Sequence, residues 1–138
     1  MIYAVIDTNV IVSALLSRHS NAATVQVVRT ISKDKLCPLY NEEIFEEYEE
    51  VLNRKKFRLP PDIVQSVLRN IRQAGMAAQR IESQEHLPDP KDIVFYEVAM
   101  SKDDAYLVTG NTKHFPQKPI VVTPAEMVEI LADNGLLE

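Results

Sequence analysis

The sequence predicts an α/β fold of three layers, α/β/α, with a mostly parallel central sheet between two layers of helices. Three observations predict it. Short apolar runs that suit strands alternate along the chain with longer stretches whose apolar residues recur at helical spacing. The first run, Ile2–Ile6, is apolar or aromatic at all five positions, as in a strand covered on both faces. That run and a later one over residues 105–109 both give way to small polar residues, which puts polar groups at the carboxyl edge of the sheet, where open α/β folds bind ligands.

A length of 138 residues suits one domain, 1–138, with a real core. Hydrophobic residues at 46% and charged residues at 25% give the balance of a globular protein and exclude a disordered or fibrous chain. No apolar run approaches the ~18 residues that a membrane span needs, so no membrane partner is expected. The first strand begins at residue 2 and leaves no room for a leader peptide, so a cytoplasmic location is expected. Cys37 is alone, without Cys or His at zinc spacing, and is expected as a buried thiol. A net charge of −5, from 15 basic and 20 acidic residues, leaves any nucleic-acid contact to a local basic patch, and part of the acid excess can serve to hold cations.

Asp7 stands at the carboxyl end of the first strand, followed by Thr8 and Asn9. Asp or Asn there also suits a simple helix cap, so its role turns on whether other carboxylates converge on the same rim. Val10, Ile11, Ala14 and Leu15 predict a short helix, closed by the polar break at 17–21. Ala23, Val27, Val28 and Ile31 share one stripe of a second helix. Residues 36–39 read as a short strand, with Pro38 placing it near a strand end or sheet edge.

Asn41 can cap the next helix, Glu42–Leu52, whose inward arc is Ile44, Phe45, Tyr48, Val51 and Leu52. At 100° per residue Glu46 lies nearly opposite that arc, while Glu47 and Glu49 border it on its two sides; spacing does not choose between those two as rim ligands. The run 54–58 is the most basic in the chain and contains Phe57. Arg54, Lys55, Lys56 and Arg58 suit either phosphate contact or a solvated helix end. Pro60 and Pro61 open an amphipathic helix that Gly75 stops, and 77–81 is a weak strand candidate.

Asp89 is expected to cap a helix over 93–100 with Pro90 as its first residue. Asp92 then falls on the inward stripe of Phe95, Tyr96 and Ala99, opposite Glu97. The strand at 105–109 leads to Gly110 and Asn111; Asp103 and Asp104 precede it and belong at the sheet's other edge. Lys113, His114 and Phe115 make a turn, 119–122 a last strand, and Thr123-Pro-Ala-Glu126 a capping box for the closing helix.

Asp7, Asp92 and Asn111 thus fall where strands end or helices begin, and Glu47 can project towards them. Carboxylates gathered without cations raise one another's pKa, a conflict that a divalent cation removes. Oxygen-only ligands favour Mg²⁺ or Mn²⁺. In phosphodiester hydrolysis such ions activate the attacking water and stabilise the leaving oxygen, which suggests a nuclease.

The starting hydrophobic-Asp-Thr-Asn, Glu47-Tyr-Glu-Glu-Val-Leu52, Asp89-Pro-Lys-Asp92 and Tyr106-Leu-Val-Thr-Gly110 together resemble the PIN-domain family over nearly the whole chain. Within it the chain is most similar to the small stand-alone VapC-like ribonucleases, toxins of toxin–antitoxin pairs. The resemblance implies a PIN-like parallel sheet, a Mg²⁺- or Mn²⁺-dependent endoribonuclease, an RNA substrate, an antitoxin protein as partner and a homodimer. It selects Glu47 over Glu49 and carries the acidic quartet onto Asp7, Glu47, Asp92 and the residue after Gly110, with metal at Asp7, Glu47 and Asp92. The last position departs from the pattern: Asn111 stands where many relatives have Asp, so the site has one negative charge fewer, and affinity for a hard cation falls with fewer ligand charges.

Thr8, Asn9 and Thr109 are candidates to bind substrate phosphate, and equally suit hydrogen bonds to the carboxylates, to water or to backbone groups at a strand end; Arg54, Lys55 and Lys113 are candidate substrate-positioning cations, and His114 is a lesser acid–base candidate. Two other functions compete. A non-catalytic PIN-like module binding RNA or protein would keep its binding without metal. A phosphoacceptor receiver would explain Asp7, but the third strand ends without Asp, the late-strand Lys is missing, and with only three Gly there is no Gly-rich phosphate loop.

Overall fold

The computed structural model describes residues 1–137. Five strands, β1 (Ile2–Ile6), β2 (Leu36–Tyr40), β3 (Met76–Ala77), β4 (Tyr106–Val108) and β5 (Val121–Val122), form one sheet in the order β3-β2-β1-β4-β5. Every adjacent pair is parallel. β1 is central because it is apolar throughout; it meets β2 with Ala4 opposite Pro38 and β4 with Ile6 opposite Val108. The two outer strands, β3 and β5, are each two residues long.

The helices are α1 (Thr8–Leu16), α2 (Ala23–Ser32), α3 (Glu42–Leu52), α4 (Pro61–Ala74), α5 (Ile93–Ala99) and α6 (Pro124–Asp133). The chain steps from β1 to β2 to β3 in one direction, then returns to β4 and β5 on the other side of β1. Right-handed crossovers in opposite directions place their helices on opposite faces. Accordingly α1, α2, α4 and α6 pack among themselves, while α5 packs on β1, β2 and β4. α3 touches both α1 and α5. The reversal leaves a crevice between the carboxyl ends of β1 and β4, the switch point at which such sheets bind ligands.

Local chemistry accounts for most boundaries. Asn41 accepts a hydrogen bond from the Ile44 amide at 2.8 Å and starts α3. Thr123 and Glu126 complete the reciprocal cap of α6. α4 begins at Pro61 and ends before Gly75, as expected. The core gathers Ile6, Ile11, Tyr48, Phe95, Leu107 and Met127, all fully enclosed. Cys37 is buried in β2 as a free thiol. Among the described residues no helix is long and apolar enough to cross a membrane.

Three expectations require correction. β2 is an interior strand, not an edge; pairing to β3 starts only at Leu39, so the missing Pro38 amide forfeits no bond on that side. The strand expected over 77–81 is Met76–Ala77 alone, and 78–89 continues without regular structure. Asp89 does not open α5 directly: its carboxylate accepts from the Lys91 amide at 3.0 Å and starts a 3-10 turn, Pro90–Asp92, that runs into α5.

Candidate active site

Asp7 lies just beyond β1 in the helix-capping position of α1, yet its side chain makes no capping bond. Its Oδ2 accepts instead from the Thr109 hydroxyl at 2.7 Å and from Asn9 Nδ2 at 3.3 Å. The first donor comes from beyond β4, so the switch point itself supplies the carboxylate's partner. Asn9 Oδ1 in turn accepts from the Gly110 amide at 3.3 Å, and Thr109 Oγ1 accepts from the Asn111 amide at 3.0 Å. The capping role considered for Asp7 is thereby replaced by a network that spans both strand ends.

Glu47 reaches the same place from α3. Its Oε2 accepts from the Thr8 hydroxyl. Tyr48, the next residue, donates its hydroxyl to the Ile6 carbonyl, which fastens α3 against the end of β1. Burial holds that phenol well above its usual pKa, so it stays a donor. Glu49 lies elsewhere, in a hollow with Gln65 and Arg69 of α4. The structure therefore separates the two glutamates that helical spacing left equivalent.

An open cleft of about 840 Å³ gathers Asp7, Thr8, Asn9 and Glu47 with Glu43, Glu46 and Glu50. Glu46, expected to face away, is on its wall. Arg54 and Phe57 line it from the end of α3, and Asp89 and Lys91 from the turn before α5. Asp92 ends that turn with 20% of its side chain exposed, its Oδ2 3.8 Å from His114 Nδ1.

The electrostatics tie the acids together. Burial raises the Asp7 carboxyl above its usual range; the Thr109 hydrogen bond opposes that, and the charge of Glu47 adds to it. Asp92 is pushed up to about 6 by burial first, then by the negative charges of Asp7, Asp89 and Glu47. Two carboxyls raised in part by neighbouring negative charge mark a site in need of positive charge. Among the described residues no three Asp, Glu, His or Cys side chains close into a ready-made chelate. Mg²⁺ does not require one, because it keeps several waters and takes one or two carboxylates together with substrate phosphate. Asp7 and Glu47, both on the cleft wall, supply oxygen donors of the kind such an ion takes.

Other expected residues sit differently. Thr109 is 0% exposed and cannot touch substrate; it positions Asp7. Thr8 and Asn9 likewise spend their side chains on the carboxylates. Asn111, Lys55 and Lys113 are exposed and do not line the cleft, because 3-10 turns at Lys55–Phe57 and Thr112–His114 carry them outside it. Arg54 lines the cleft but also pairs with Glu50 at 2.8 Å. Lys91 and Phe57 were missed as lining residues. The signal for both was available, since each lies within a motif already noted: an aromatic inside a basic run, and a lysine between the expected cap Asp89 and the candidate acid Asp92.

A family model described as PIN domain matches residues 3–113. No curated protein and no solved structure matches the chain.

Proposed function

The chain belongs to the PIN-domain family, and from that premise we propose that it is an endoribonuclease that hydrolyses RNA phosphodiester bonds with Mg²⁺ or Mn²⁺. PIN domains are typically nucleases that use divalent metals. The observation that carries the reading is that Asp7 and Glu47 share one cleft, while Asp92, just outside its lining, is close enough for its carboxyl to be pushed up by burial first and then by the charges of Asp7, Asp89 and Glu47.

In this reading Asp7, Glu47 and Asp92 hold the ion. When bound, the ion activates water for attack on phosphorus and offsets the charge that builds on the phosphate. Thr109 and Asn9 hold Asp7 in place, and Thr8 holds Glu47, so the carboxylates need little reorganisation when the cation arrives. Arg54 and Lys91 supply the positive charge for flanking phosphates, and Phe57 offers a face on which an unpaired base can stack. Asn111 is exposed and carries no charge to answer the cation, so the metal is left to the three carboxylates.

The same proposal takes the protein as the toxin of a toxin–antitoxin pair, with an antitoxin protein as inhibitor and a homodimer as the working form. The test is cleavage of a single-stranded RNA in Mn²⁺. Expected is cleavage that EDTA abolishes and that Asp7→Asn lowers at least ~100-fold, as for loss of a principal charge-stabilising group. RNA binding that survives EDTA without any cleavage would instead support the non-catalytic module.

A further inference from the structure

Arg80 lies outside the cleft, on the irregular segment that follows β3, and its guanidinium joins two helices. Nη1 donates to both carboxylate oxygens of Glu43 on α3, each at 3.0 Å. Nε donates to Glu97 Oε1 on α5 at 2.7 Å, and Nη2 donates to the same oxygen. The second oxygen of Glu97 accepts from the Ser83 amide at 2.7 Å. The Ile81 amide donates to the Glu97 carbonyl at 3.2 Å. Glu97, expected opposite the buried stripe, is only 5% exposed because this segment covers it.

The two helices so joined are those that carry or follow the outer carboxylates. Glu43 stands one turn before Glu47 on the same side of α3, and both line the cleft. Glu97 lies on α5, which Asp92 immediately precedes. A planar guanidinium fork fixes orientation as well as distance when it meets a carboxylate, which a lysine ammonium does not.

We propose that Arg80 is a positioning residue: by clamping α3 to α5 it sets the separation of Glu47 from Asp92, and with it the affinity of the cleft for a divalent cation. The inference rests on the reading above, in which those carboxylates hold the ion. A through-space effect of the Arg80 charge has the opposite sign. Removing a cation near an acidic cleft, with geometry unchanged, strengthens cation binding. Releasing the clamp weakens it.

The experiment is calorimetric titration of Mn²⁺ into the metal-free full chain, with near-ultraviolet circular dichroism and thermal midpoints on the same samples. Expected for Arg80→Gln is a folded spectrum and Mn²⁺ binding weaker by about 10-fold, the range for residues that orient metal ligands. Arg80→Lys keeps the charge without the fork and falls between. Arg72→Gln, which removes an equal charge from the α3–α4 pair with Glu42, leaves the affinity unchanged. Arg80→Gln that binds Mn²⁺ as tightly as wild type, or more tightly, overturns the proposal. Should Arg80→Gln fail to fold, Glu43→Ala decides, since it cuts only the exposed α3 arm. It must weaken Mn²⁺ binding more than Glu46→Ala, which removes the same charge from the same cleft; equal losses overturn the proposal. Wild-type protein that takes up no Mn²⁺ overturns the site reading and the clamp with it, a result distinct from wild-type binding that Arg80→Gln leaves intact.

Discussion

A carboxylate only 7% exposed, as Asp7 is, carries a desolvation cost that two hydrogen-bond donors offset in part. Asp92 bears a similar burden, and its pKa near 6 against an ordinary 3.8 turns that burden into a pH dependence. At pH below 3.8 the group is protonated in both folded and unfolded chains. Between 3.8 and about 6 the folded protein keeps the proton while the unfolded chain releases it, so stability falls as pH rises; above that both are ionised and the deficit stays constant. Metal-free Asp92→Asn is therefore expected to be more stable than wild type at pH 7 by about 1–2 kcal/mol, discounted for partial exposure, and equal to it near pH ~3.5. Denaturant midpoints at the two pH values check this; a difference that does not change with pH sinks it. Saturating Mn²⁺ should reverse the order at pH 7, because only wild type gains full binding energy. That Asp7 ends a strand and Asp92 stands at a helix start was legible, since both are local features. The sequence offered Thr109 a carboxylate or a phosphate without choosing, because the bond to Asp7 joins residues 102 positions apart. Glu97 was misplaced by its helical angle, although a lone acid in an otherwise apolar stretch was a sign that a cation must cover it.

Among the elements, the joint between α4 and β3 has the least room. A β-carbon added at Gly75 would lie 2.5 Å from the carbonyl oxygens of both Ile71 and Pro38. Both are backbone atoms, one in α4 and one in β2, so neither can turn aside. Gly75→Ala is expected to cost about 1–3 kcal/mol in urea unfolding, with the slope unchanged. Gly110→Ala meets nothing closer than Asn9 Oδ1 at 3.6 Å and should cost under ~1 kcal/mol. A Gly75→Ala midpoint equal to wild type would mean that the strand and helix shift apart freely. The helices were legible because caps and apolar stripes are local: Asn41, Pro61, Gly75 and the Thr123 box all stand where expected. β3 was legible only as a weak strand, since two paired residues leave too short a pattern to read. The 3-10 turn before α5 was hidden because Asp89-Pro90 signals a helix start equally well for either winding.

Taken whole, the molecule carries −5, and under the proposed function it has to approach a polyanion. Its cleft offers Arg54 and Lys91 against several glutamates, so two phosphate contacts are the most that these cations support. For single-stranded RNA that corresponds to a slope of log Kobs against log salt of roughly −1.4, at ~0.7 per phosphate. Fluorescence anisotropy with Asp7→Asn protein and uncut RNA measures it; a slope beyond roughly −3 would require a basic surface elsewhere, such as Lys55, Lys56 and Arg58. In the proposed reaction, weak metal-free attraction would leave a divalent ion to complete the match between acidic cleft and phosphate. The parallel order of the sheet was legible from its apolar first strand, but strand order was not, because crossover direction leaves no mark on local sequence. That order ends in β3 and β5, each with two residues to pair. An incoming chain finds too short a template on either side to add a strand, so the sheet is terminated by its own margins, and concentrated protein has no ready seed for fibril growth.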